Sequence, residues 1–75
     1  MNAQNRIETN HEVMLGKPVI RGTRITVEFV LRKMAQGASV ADLLDGYPHL
    51  QPEDIRACLE YAADLTANEE LIPAA

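Results

Sequence analysis

The sequence predicts an α+β fold, mainly α: an N-terminal β-hairpin followed by a three-helix, helix-turn-helix-like bundle. Three observations predict it. The first third holds short apolar segments separated by Gly16-Lys17-Pro18 and Gly22-Thr23, residues that make turns. From Thr26 the apolar spacing lengthens to a helical period. Gly37, Gly46 and Pro52 then punctuate the chain where helices of modest length end or begin.

Arg6-Ile7-Glu8-Thr9 alternates and reads as an edge strand. Val13-Met14-Leu15 leads into the turn at Gly16, and Pro18-Val19-Ile20 reads as the second strand, with a glycine-mediated bend at Gly22. Thr26 is a good N-cap, and Glu28 stands in the first turn, where the helix dipole favours an acid. Val27, Val30, Leu31 and Met34 recur at i, i+3, i+4 and i+7, the apolar stripe of a helix closed by Gly37. Ser39-Val40-Ala41-Asp42 resembles a capping box with Asp in place of Glu, opening a short helix with Val40, Leu43 and Leu44 inward and Gly46 at its end. Tyr47 to Gln51 is a loop, because Pro48 holds Tyr47 out of the α region. Pro52 at a first helical position, followed by Glu53 and Asp54, starts a third helix that runs to about Thr66. Its expected buried stripe is Ile55, Cys58, Leu59, Ala62 and Leu65, and its outer face is Glu53, Arg56, Ala57, Glu60, Tyr61 and Asp64. Residues 1–66 are thus expected to form one domain and 67–75 a flexible C-terminal tail.

At 75 residues, 47% of them apolar, a core is possible but small, so burial against a partner chain or a homodimer is expected. Cys58 alone cannot form an internal disulfide, which fits a reducing compartment. With no signal core and no apolar run of membrane-spanning length, the expectation is a cytoplasmic protein without a membrane partner. His11 and His49 lie in separate loop-like segments, and Cys58 falls on a buried stripe. No catalytic residue, metal site or cofactor is therefore expected, and an enzyme is not.

Charge is segregated. Residues 1–36 hold six of the seven Lys and Arg against three acids, whereas residues 37–75 hold Arg56 against eight acids. A small domain of this kind can meet a polyanion with one end and present acid at the other, which the overall pI of 4.9 conceals.

The run Gly16-Lys17-Pro18-Val19-Ile20-Arg21-Gly22-Thr23-Arg24-Ile25, then Gly37 with Ser39, Tyr47-Pro48, Asp54-Ile55 and Tyr61-Ala62, resembles a prokaryotic family called domain of unknown function 433. The resemblance covers roughly residues 6–65 and implies a homeodomain-like three-helix domain. It further implies a VapB-type antitoxin of a toxin–antitoxin pair, which sequesters a PIN-like nuclease toxin and contacts its own operator DNA. Two alternatives stand beside it: an interaction module that binds no DNA, and an autonomous transcription regulator.

Read from the residues, the DNA-contacting candidates are Lys17, Arg21, Thr23, Arg24, Arg32 and Lys33. Lys and Arg here would touch phosphates and position the protein without reading bases. Alternatively they are solvated edge charges that discourage sheet aggregation. The third helix, the usual reader, carries Glu53, Asp54, Glu60 and Asp64 and would repel phosphate. Any DNA contact thus belongs to the β-unit and the first helix. The partner-contacting candidates are Phe29, Tyr61, Leu71 and Ile72. Phe29 falls opposite the buried stripe of its helix, either as an exposed anchor or covered by the hairpin. Tyr61 lies on the acidic face, and Leu71-Ile72 would anchor the tail. The tail has no Arg to offer a nuclease active site, so Arg56 or the basic end would have to supply one.

Overall fold

The computed structural model describes residues 5–67. Two short strands, β1 (Ile7–Glu8) and β2 (Val19–Ile20), pair antiparallel with Ile7 opposite Ile20 and Glu8 opposite Val19. Three helices follow: α1 (Val27–Ala35), α2 (Val40–Gly46) and α3 (Pro52–Ala67). The expected hairpin and three-helix order is the observed one.

Strands of two residues cannot hold themselves, and a second set of backbone bonds reinforces them. The Arg21 amide donates to Arg6 O at 2.7 Å, while the Ile20 amide donates to Ile25 O and the Val27 amide to Pro18 O, both at 2.9 Å. The chain from Pro18 to Val27 therefore doubles back on itself. That fold delivers Thr26 to the start of α1, where its hydroxyl accepts from the Phe29 amide at 2.9 Å.

Each later helix end is closed by its own sequence. Gly37 adopts φ +105°, so the Ala38 amide reaches Lys33 O and the Gly37 amide reaches Met34 O, both at 3.0 Å. Ser39 and Asp42 make both bonds of the capping box, at 3.0 and 2.9 Å. Accepting from the Ser39 amide and hydroxyl partners holds the Asp42 carboxyl below its ordinary value. At α3, the Gln51 amide donates to the Asp54 carboxylate at 2.9 Å.

The core gathers Ile7 and Ile20 from the strands, Val27 and Val30 from α1, Leu43 from α2, Leu50 from the loop, and Ile55, Ala57 and Cys58 from α3. Burial pushes the Cys58 thiol up to about 12, with the nearby Asp54 charge adding to it, so the group stays neutral.

Several expected faces are corrected. Val40, Leu59 and Leu65 are exposed rather than inward. Ala57 and Asp54, expected outward, are buried. On α3 the buried face runs through Asp54, Ile55, Ala57 and Cys58, which turns Leu59 outward. Length accounts for Leu65: α3 has 16 residues and α1 has 9, so the far end of α3 is only partly covered. Gly46 lies inside the last turn of α2, and Tyr47 is the cap. No helix among the described residues is long and apolar enough to cross a membrane.

Candidate docking face on the first helix

Burying Val27 and Val30 fixes which side of α1 faces out, and that side carries Phe29. Phe29 is half-buried. The Tyr47 ring, from the α2–α3 connection, meets it edge-on, with centroids 5.7 Å apart and an interplanar angle of 88°. Lys33 Nζ lies 5.6 Å from the Phe29 centroid, a cation–π contact. The two readings of Phe29 meet halfway: the loop braces one edge of the ring, and the rest faces solvent. The ring forms a ridge between two hollows. One, of about 270 Å³, is lined by Met14, Arg24, Ile25, Thr26, Phe29 and Tyr47. The other, of about 330 Å³, is lined by Thr26, Glu28, Phe29, Arg32, Lys33 and Gln36.

The cations near this ridge fall into two groups. Lys17 Nζ and Arg32 Nε both reach the Glu28 carboxylate, at 3.3 and 2.9 Å. These two hydrogen-bonded cations hold the Glu28 carboxyl below its ordinary value. Arg21 pairs with Glu8 at 3.4 Å and also donates to Asn5 O at 2.9 Å. By contrast, no carboxylate is paired with Arg24 or Lys33 among the described residues. Of the six candidate DNA contacts, then, two stand ready and three are held by acids.

Thr23, the sixth, is occupied by the fold. Its hydroxyl donates to Ile20 O at 2.7 Å and accepts from the Ile25 amide at 2.9 Å. It fastens the turn whose third residue, Gly22, adopts φ +80°. Tyr61 is half-buried and lies away from the Phe29 ridge, in a groove between α1 and α3. Leu71 and Ile72 lie outside the described residues. Among the described residues no His, Cys, Asp and Glu cluster could hold a metal ion.

Two features escaped the sequence reading. Met14 and Leu15 both adopt positive φ, +49° and +58°, ahead of Gly16 at +82°. The result is a left-handed turn that leaves Leu15 92% exposed and puts Met14 in the lining of the hollow beside Phe29. Only Gly16 signalled it. The other feature is the Arg6–Asp54 pair at 2.8 Å, for which the sequence offers no spacing rule.

A crystal structure of a DUF433 member protein from Anabaena variabilis superimposes with a TM-score of 0.80 at 36% identity, covering 85% of this chain and 63% of that one. An uncharacterized protein, y4eO, of Sinorhizobium fredii is 37% identical over 60 residues. That match takes in 80% of this chain but only 27% of the relative's length. The family model described as "Protein of unknown function (DUF433)" matches residues 7–62, and the chain belongs to that family.

Proposed function

We propose that this chain is the protein-binding, antitoxin-type member of a two-protein pair, and that it seats a PIN-like nuclease on the α1 face around Phe29. The carrying observation is the Phe29 ridge itself: an aromatic ring braced by Tyr47, with Lys33 over it and an unpaired Arg24 lining the adjoining hollow. Rigid aromatic residues and Arg are the side chains that dominate protein interfaces. The site of a metal-dependent nuclease is lined with carboxylates, and Arg24 and Lys33 complement such a surface without first surrendering an acid of their own. In this reading the homeodomain-like, helix-turn-helix arrangement serves as a scaffold, and the acidic α3 stays out of any groove.

The test uses the purified product of the neighbouring reading frame, titrated calorimetrically with this chain. Phe29→Ala and Arg24→Ala should each weaken binding by about tenfold or more, whereas Glu53→Gln on the far helix should not change it. A neighbour that fails to bind, or a Phe29→Ala variant of full affinity, refutes the reading.

Operator contact is the second reading, favoured by Arg24 and Lys33 lying at the same end of the molecule. With Lys17, Arg21 and Arg32 each held by an acid, this reading rests on weak, salt-sensitive phosphate contact rather than base readout.

A further inference from the structure

The overhanging half of α3 leaves a groove of about 410 Å³ against α1. Leu31 and Ala35 form one wall, and Tyr61, Ala62 and Leu65 the other, with Arg32 at the mouth. We propose that this groove is a two-fold interface with a second copy of this chain, Leu65 of each copy seating in the groove of the other.

Self-complementarity supports that occupant. A two-fold interface uses one patch twice, so the patch must present both a projection and a recess that accepts it. Leu65 is the projection, 54% exposed on an uncovered turn. Ala35 and Ala62 are the recess, because their short side chains leave the space between the helices open. Charge agrees. The last turns of α3 carry Glu60 and Asp64 with no basic residue, and the sequence supplies no Lys or Arg after Arg56. The last turn of α1 carries Arg32, held by Glu28 at the edge of the groove, and Lys33, which is paired with no carboxylate among the described residues. A two-fold axis across the groove brings the acidic end of one copy to the cationic end of the other. Phe29 does not line this groove, but Glu28 and Arg32 border both the groove and the hollow beside Phe29, so the dimer and the docking face adjoin along that edge of α1.

Sedimentation equilibrium on the full chain, from roughly 5 to 500 μM in low salt, tests this. The expected result is a reversible dimer. Leu65→Asp should raise its dissociation constant at least about tenfold, without lowering the melting temperature measured at a concentration where wild type is monomeric, since this side chain is exposed in the single copy. Arg32→Glu should also weaken it, and adding Asp64→Lys to Arg32→Glu should restore it. A full chain that stays monomeric throughout overturns the proposal. So does a dimer indifferent to Leu65→Asp. A chain ending at residue 67 that dimerises where the full chain does not also overturns it, because the groove's occupant is then the chain's own C-terminal segment.

Discussion

Arg6 in the N-terminal strand region and Asp54 in the first turn of α3 stand 48 residues apart and meet at 2.8 Å. Asp54 uses its other oxygen on the Gln51 amide, so one carboxylate both starts α3 and ties it to β1. Asp54 is buried, and the Arg6 side chain is mostly so. Removing one partner of a buried pair strands the other charge, a larger loss than the pair's own net worth. Asp54→Ala should therefore destabilise the protein by about 3 kcal/mol in urea unfolding. Arg6→Ala should cost less than Asp54→Ala, because the bond to Gln51 survives it. Equal costs would show that stranding the more buried Asp54 charge offsets the loss of the cap.

That pair also marks where sequence reading stops. Caps are local: Thr26 with Phe29, Ser39 with Asp42, and Gly37 with its positive φ lie within a few residues of the groups they satisfy, and all were legible. So were the hairpin and the order of the helices. Burial of Asp54 and exposure of Leu65 depend on what a distant element covers. Helical periodicity says which residues share a face, but not how far the facing helix extends along it. At the candidate site, Phe29 was legible as off the core stripe, while the brace from Tyr47 was not. The sequence showed a cationic end, but not that Glu28 and Glu8 already hold half of the candidate DNA contacts.

Glu28 sets how much of that positive charge is available, and its pairing is pH-dependent. Its carboxyl titrates below the ordinary value in the folded state because Arg32 and Lys17 stabilise the charged form. The unfolded chain therefore binds its proton at higher pH than the folded one. The stabilisation from Glu28 should be complete above the ordinary carboxylate range, near pH 4.3, and vanish as pH falls through the folded-state value. Comparing thermal melts of wild type and Glu28→Gln from pH 7 to 3 checks this: the two curves should converge at the acid end. At pH 7, Glu28→Gln should also free Lys17 and Arg32, tightening non-specific duplex binding and steepening its salt dependence by up to about two charges. An unchanged slope would mean that this face does not contact phosphate.

Thr23 separates a structural role from a binding one. Its hydroxyl makes two hydrogen bonds within the turn. Thr23→Ala should cost about 1–2 kcal/mol of stability, and Thr23→Ser, which keeps both bonds, should cost much less. In a DNA titration at a temperature where both variants are folded, Thr23→Ala should match wild type. A selective loss of DNA affinity with stability intact would return Thr23 to the contact surface.

Leu15 combines unfavourable backbone geometry with almost complete exposure. A left-handed conformation costs a non-glycine residue about 1–2 kcal/mol, and Leu15 recovers little of it by packing. Asn tolerates this region, so Leu15→Asn should stabilise the protein by about 0.5–1 kcal/mol. Gly relieves the same strain but adds freedom to the unfolded chain, so Leu15→Gly should gain less. A β-branched Val at this position should lose about 1 kcal/mol or more. Met14, its neighbour, lines the hollow beside Phe29, so the turn holds an apolar side chain at the border of the proposed docking face. Leu15→Asn should then raise the unfolding midpoint while leaving the hollow beside Phe29 intact, because Met14 and not Leu15 lines it. A destabilised Leu15→Asn variant would mean that the turn does not hold this backbone in solution.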